Sequence, residues 1–504
     1  MTANGNSALV YSEDKIYDAE TYSTSAATGA EITNRFDDVD LKLYDGAGDN
    51  KDRLVYVSRS DWNGTVKYGL DADNTLQRAW FAVTYTGKMD DDYEETWNYV
   101  VEGNTAHGGE YPTYGSTATN HQLIDLRARD DGDGDPTNEE PIPYDDPMWN
   151  ELLDQLTFEE TVQLLICGYR KTNPIDSITK PETIDHNGAN GPIQPYNENP
   201  GEGVNRGYAV RTDDPDKAQR PVVYPCNGLA ASTFNLELAN YYGRQWGEDC
   251  LWGGLAGLYG MGVNTHRSPY GGRNFEYYSE DPYLMGMIAA ETTKGMATRG
   301  AYVYLKHCFL NDQETARLGG FTWANEQSIR EIYLKSFQIA IEDGGAQCVM
   351  GGLNSLGVKW TGTHGFMNTV LRGEFGMTGH VVTDSYQQYN GSYVRGVFFG
   401  NDLPDGTVRT SDENFDYVEG GGYSDMAWAM REAAHRVLYT VVHSNAMNGI
   451  TTGTRIRTIT PWWVYAVTAV RAATGALLGI SAAGFGVTLW LIKRKKSPAK
   501  TEEA

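Results

Sequence analysis

GMTGHVVTDSYQQYN, residues 376–390, is the stretch on which the reading of this chain turns. A glycine-bearing loop leads into the apolar run Val381-Val382-Thr383, which reads as a short buried strand. Asp384 follows at the carboxyl end of that strand, the end where chemistry collects in parallel α/β architectures. Taken alone, a turn-forming or helix-capping aspartate explains it at least as well.

Outward from this stretch, helical and strand patterns alternate from about residue 146 to 445. Residues 147–167 carry an amphipathic helical pattern with Met148, Leu152, Leu153, Leu156, Leu164 and Leu165 on one side. Helices are expected at 236–252, 284–299, 326–343, 368–375 and 424–444. Strands are expected at 260–264, 301–305, 346–350 and 381–383. No internal repeat of fixed period is present. Alternation over roughly 300 residues is what one parallel-sheet domain produces, and the fold expected is an α/β, TIM-like (β/α)8 barrel.

The flanks differ from this core. Residues 1–145 are polar, acidic and irregular, with short strand-like runs at 53–58 (RLVYVS) and 79–85 (AWFAVTY). The segment DDGDGDPTNEEP, 130–141, resembles a calcium loop. Pro136 occupies the place of the required glycine, however, and Ile142 that of the bidentate acid, so a solvated acidic linker fits better. Residues 472–492, AATGALLGISAAGFGVTLWLI, contain no charge and run into Lys493, Arg494, Lys495 and Lys496. That length and flank predict one membrane-spanning helix with a cytoplasmic basic tail at 493–504, a juxtamembrane segment at 446–471 and the rest outside the cell. Trp462, Trp463 and Tyr465 would mark the opposite interface. The first residues show no basic region followed by an apolar one, so no signal peptide is expected.

Composition narrows the partners. A net charge of −26 argues against nucleic acid, which needs clustered Lys and Arg. The 33 tyrosines and 12 tryptophans suit stacking on sugars as well as ordinary packing. Five scattered cysteines, at 167, 226, 250, 308 and 348, form no close pair and read as free thiols rather than a disulfide framework or a zinc site. No metal site and no cofactor are expected.

The strands end in polar clusters: HRSPYGGRNFEYYSEDP at 266–282, Lys306-His307 followed by NDQE at 311–314, GGLNS at 351–355, and Asp384. In a barrel these ends share one mouth, so Arg273, Lys306, His307 and Asp384 would surround one small polar ligand. Cations beside Asp384 would keep it ionised, as a glycosidic nucleophile requires.

Four ordered segments carry a resemblance: GGRNFEYYSEDPYL (271–284), LKHCFLNDQETARLG (305–319), TWANEQSIREIYLKSFQIAIEDGGAQCVM (322–350) and VLRGEFGMTGHVVTD (370–384). They resemble glycoside hydrolase family 3, the β-glucosidase-like family with a barrel N-terminal domain, over roughly residues 147–436, here in a membrane-anchored bacterial form. The resemblance implies that Asp384 is the nucleophile of a retaining mechanism and that Arg273, Lys306 and His307 bind sugar hydroxyls, with Arg267 and Glu276 bracing them. The family's DGPAG motif corresponds to DHNGANGP at 185–192, which puts Asn187 in place of a sugar-binding aspartate. Gly352-Leu353-Asn354 and Ser385, the latter where the family often has Trp, are further departures within the pocket. The family's general acid/base, a Glu of a second domain, has no counterpart after the barrel. Residues 1–65 resemble the tail of such a domain placed upstream, as in a split or truncated form, and Glu314 is a less suitable internal acid. The leading expectation is a membrane-anchored β-glucosidase-like enzyme acting on a carbohydrate. The alternatives are a tethered sugar-binding or scaffolding protein and, more weakly, a calcium-dependent adhesion module.

Overall fold

The structure, a computed structural model, describes residues 23–36, 39, 105–129, 140–192, 224–314, 317, 321–357, 359–385, 393–406, 415–419, 422–455 and 462–495. The strand-like runs at 53–58 and 79–85 and most of the acidic loop, 130–139, lie outside them. Residues up to Thr454 form one compact unit and those from Arg455 a second.

The single helix expected at 147–167 is two helices. Asp146 caps α1 (Pro147–Gln155), which carries Pro at its first turn, and α1 ends where Leu156 turns extended. Thr157 then starts α2 (Phe158–Leu165) through a capping box: its side chain accepts from the Glu160 amide while Glu160 reaches back to its own amide. Two antiparallel strands follow, β1 (Lys171–Thr172) and β2 (Thr183–Asn187). Next come α3 (Leu236–Gly253), capped by Asn235 and ended by left-handed Gly254, and β3 (Gly257–Tyr259). Asp281 and Pro282 start α4 (Pro282–Ala297), which leads to β4 (Tyr302–Cys308). The long helix expected at 326–343 is interrupted by a π turn at Ile329–Tyr333 before α5 (Lys335–Glu342). β5 (Cys348–Gly351), β6 (Val381–Ser385), α6 (Tyr393–Phe398), β7 (Leu403–Asp405) and α7 (Ser424–Val442) complete the unit.

The sheet runs β7-β6-β5-β4-β3-β2-β1. β2 to β7 are parallel and β1 is antiparallel, so six parallel strands and one antiparallel edge stand, among the described residues, where eight parallel strands were expected. The strand expected at 260–264 starts earlier, as β3, because Met261 takes a left-handed conformation (φ 62°) that breaks the ladder. Beyond the kink, pairing resumes: the Lys306 amide donates to Met261 O (3.1 Å) and the Val263 amide to Lys306 O (2.8 Å).

Strand side chains alternate between two cores, each covered, as parallel sheets require. Leu258, Val303, Leu305, Val349 and Val381 pack with Trp246 of α3, Met285 and Ile288 of α4 and Phe337 of α5. Tyr259, Tyr302, Tyr304, Met350, Val382 and Leu403 face the other way, with Trp149, Leu164, Val397 and Leu438 of α1, α2, α6 and α7. Two segments ahead of residue 146 join these cores. Phe36 is fully buried against Phe309 (ring centroids 5.5 Å apart) and the Phe36 amide donates to Glu326 Oε2 (2.9 Å). Leu123, Leu126 and Ile142 enter the second core. The second unit is α8 (Trp462–Lys495), 34 residues with a mean hydropathy of 1.8 over its most apolar window, long and apolar enough to cross a membrane. It begins ten residues before the span expected at 472, so Trp462, Trp463 and Tyr465 lie on the helix itself.

Candidate active site

The carboxyl ends of β4 and β6 bring Lys306, His307 and Asp384 together, and a short 3₁₀ turn at Asn274–Glu276 supplies Arg273 and Glu276. Position is fixed by backbone exchange. Asn264 accepts from the His307 amide through Oδ1 (2.7 Å) and donates to His307 O through Nδ2 (2.9 Å), clamping the Lys-His pair to the loop after β3. The result is a buried Lys306 and a fully buried His307 imidazole, with the Asp384 side chain 15% exposed.

Arg273 holds Glu276 in a bidentate grip, Nε to Oε1 at 3.1 Å and Nη2 to Oε2 at 2.6 Å, while Lys306 Nζ lies 3.4 Å from Oε2. Burial works to raise the Glu276 pKa, but Lys306 and Arg273 outweigh it and hold the carboxyl below its usual value. Burial lowers Lys306, against Glu276. Arg273 also donates from Nη1 to His307 Nε2 at 2.8 Å. A guanidinium has no acceptor, so Nε2 must be the unprotonated nitrogen and the proton of a neutral His307 sits on Nδ1. Burial, then Arg273, Lys306 and Arg317, push the His307 pKa well below the ordinary imidazole value, in agreement with that tautomer.

This assignment decides what lies between His307 and Asp384. Their Nε2 and Oδ2 are 3.7 Å apart, within ion-pair range, but a neutral imidazole with a bare Nε2 makes neither an ion pair nor a hydrogen bond there. Asp384 Oδ1 accepts from the Ser385 amide at 2.7 Å, whereas Oδ2 is buried and, among the described residues, without a hydrogen-bond partner. Arg317 Nη1 stands 3.9 Å from it and pairs with Glu314 Oε2 at 3.1 Å. Asp384 thus presents one fixed oxygen and one uncommitted oxygen.

Of the residues singled out from sequence, Arg273, Lys306, His307 and Asp384 form one contiguous network. Asn187 stands at the carboxyl end of β2, in register with Tyr259 of β3, at the same end of the sheet. Glu276 braces Arg273 and Lys306 as expected, while Arg267 faces Asp312 and Tyr333 instead of the network. Two residues went unnoticed. Arg317 lies inside a quoted motif but carries no strand-end signal. Asp405, in Pro404-Asp405-Gly406, looks like a turn, yet it ends β7 directly beside β6.

Fold and site together define a TIM-barrel-like α/β domain with its polar groups gathered at the carboxyl ends of the strands. Residues 218–396 match the glycosyl hydrolase family 3 N terminal domain. It is 36% identical over 189 residues to beta-glucosidase A of Butyrivibrio fibrisolvens, covering 37% of this chain and 22% of the relative. It is 39% identical over 166 residues to beta-glucosidase B of Emericella nidulans, covering 32% and 19%. Among solved structures, beta-glucosidase 3B of Thermotoga neapolitana in complex with glycerol superposes with a TM-score of 0.51 at 29% identity, over 59% of this chain and 43% of that one. The chain therefore spans about a fifth of the length of these curated relatives.

Proposed function

We propose that this chain is a retaining, β-glucosidase-like glycosidase that removes terminal β-linked sugars through a covalent intermediate on Asp384. The observation that carries the proposal is the uncommitted Asp384 Oδ2, buried at a strand end and flanked by His307 and Arg317. Oδ2 attacks the anomeric carbon as the glycosidic bond breaks, and water then releases the sugar with retention. Lys306, Arg273 and Asn187 supply donors for sugar hydroxyls, and neutral His307 offers an Nδ1–H that has no partner among the described residues. Membrane attachment through α8, with the barrel domain (146–445) outside the cell and the basic end in the cytoplasm, belongs to the same reading. So does the division of the remainder into an acidic region at 1–145 and a juxtamembrane segment at 446–471.

Trapping with a 2-fluoro aryl β-glucoside tests it. Mass spectrometry of the digested protein should place the label on Asp384, and Asp384→Ala should lose at least about a thousandfold in kcat/KM. Label on another residue with Asp384→Ala still active would sink the proposal. Binding of glucosides with no turnover of any aryl glycoside, even with azide, would instead favour a tethered sugar-binding protein, a reading supported by Asn187 and Ser385 within the pocket.

A further inference from the structure

A segment far upstream of the site reaches its rim and wedges one aromatic ring between two of its loops. Residues 23–32 form a small hairpin, closed by the Ser25 amide on Ala30 O (2.8 Å) and the Ile32 amide on Ser23 O (2.9 Å). The hairpin is pinned ahead of β6, where Ser25 Oγ donates to Glu374 O and Thr28 Oγ1 to Gly373 O (2.6 Å). Arg330 then donates from Nη2 to Thr33 O (3.0 Å), and Glu326 Oε2 accepts from the Arg35 and Phe36 amides (3.2 and 2.9 Å). Val39 O accepts from the Ala324 amide at 3.2 Å. These anchors deliver the fully buried Phe36 ring against Phe309, just past β4, and against His364 and Phe366, beyond β5. The ring centroids are 5.5, 5.6 and 6.5 Å away.

Phe309 joins the Lys306-His307 pair to the loop that bears Glu314 and Arg317. Its backbone is held from the loop after β5: Asn354 Nδ2 donates to Phe309 O (3.1 Å) and the Gly352 amide to Cys308 O (2.8 Å). Its ring is set by packing, edge-on to Phe366 at 4.9 Å and edge-on to Phe36. Leu310 follows, buried and in a left-handed conformation (φ 61°). A bulky residue is strained there, and stays there only while its surroundings over-determine it. With the Phe36 ring removed, the Phe309 ring gains room and the strain at Leu310 is free to relax. The loop that brings Arg317 Nη1 to 3.9 Å from Asp384 Oδ2 would move with it.

We propose that Phe36 is a positioning residue of this site, acting through Phe309 on the loop that carries Arg317 to Asp384. The proposal deepens the glycosidase reading above and rests on it. Phe36 itself touches no reacting group. Its effect is geometric, and a misplacement of about 1 Å is enough to cost a site roughly a hundredfold.

Phe36→Ala in the full chain leaves an apolar, ring-sized cavity, of the kind that stays dry and takes up benzene, so the ring can be removed and then replaced. Two quantities are read well below the melting transition. One is kcat/KM on 2,4-dinitrophenyl β-glucoside, and the other is the dissociation constant of phenyl 1-thio-β-glucoside, which is not hydrolysed. Phe36→Ala should lose about a hundredfold in the first and about tenfold in the second, with benzene restoring most of both. Phe36→Leu should fall between, and it decides the matter if the alanine variant does not fold, since values equal to the unaltered chain would overturn the proposal. Leu438→Ala, in the core on the other face of the sheet, should lower the melting temperature while leaving both quantities unchanged. Unchanged values in Phe36→Ala, or benzene that raises its melting temperature without restoring sugar binding, overturn the proposal and leave the glycosidase reading intact. An unaltered chain that binds the thioglucoside but turns over no glucoside overturns the glycosidase reading instead, and the binding comparison then decides on Phe36. An unaltered chain that does neither overturns both.

Discussion

Arg273 is the residue on which the site's electrostatics hinge, since it touches Glu276 twice and His307 once. Arg273→Ala leaves the Glu276 side chain, only 12% exposed, with Lys306 alone at 3.4 Å. Breaking a buried pair costs about 3–5 kcal/mol, and with Lys306 still in place the low end, about 3 kcal/mol, is expected. A lower urea midpoint at unchanged slope would show it. Arg273→Lys should recover only part of this, because a lysine cannot reproduce the bidentate fork. At this scale the sequence was informative where a polar residue followed an apolar strand run, as for Lys306, His307 and Asp384. It was silent on Asp405, whose Pro-Asp-Gly setting carries turn chemistry that masks a strand end. Arg317 was equally hidden, since only the folded loop brings it to Asp384.

Between elements, a buried polar chain ties the strands together. Asp185 on β2 accepts from Tyr302 at Oδ1 and Tyr304 at Oδ2, both at 2.7 Å from β4, and the Tyr304 hydroxyl lies 2.7 Å from His380 Nε2 ahead of β6. Burial raises Asp185 to about 6, against the two tyrosines and Lys180, and lowers His380 to about 3. The two groups act oppositely on stability. Between about pH 4 and 6 the folded state keeps the Asp185 proton that the unfolded chain releases, so this group makes stability fall as pH rises. His380 stays neutral when folded while the unfolded imidazole charges below about 6.5, so it makes stability rise with pH over the same window. Asp185→Asn removes only the first. Relative to the unaltered chain, its unfolding free energy should gain a slope of about +1.4 kcal/mol per pH unit between pH 4 and 6. Urea titrations at three pH values would read this directly, and parallel curves would contradict it. None of this chain was legible beforehand, because Tyr302, Tyr304 and His380 read as ordinary strand residues until the register aligned them. The break at Thr157, by contrast, was written in the sequence as a Thr-x-x-Glu capping box and was passed over in favour of the longer apolar stripe.

For the molecule as a whole, the alternation of helix and strand foretold a parallel α/β domain, but not how its sheet ends. The two edges meet. The Gly168 amide, just ahead of β1, donates to Pro404 O of β7 at 3.0 Å. Tyr393 joins them again, donating to Leu165 O at 2.6 Å and lying 2.9 Å from Asp402 O. The sheet thus curls until the segment just ahead of β1 meets β7, and Gly168 sits at that contact. A methyl group there would sit 2.7 Å from both Leu403 Cβ and Pro404 O, and neither a Cβ nor a backbone carbonyl can yield by itself. Gly168→Ala should therefore force β1 and β7 apart at a cost of about 2–3 kcal/mol, as overpacking in a rigid core does. Because β7 pairs directly with β6, which carries Asp384, the consequence reaches the site. A displaced β7 should lower kcat/KM below the melting transition, whereas a purely global loss of stability would leave it unchanged there, where the protein is still folded. Thermal melts together with kcat/KM on an aryl β-glucoside, measured well below the melting transition, separate these outcomes. A Gly168→Ala protein with unchanged melting would show that the edges are not held together at this point.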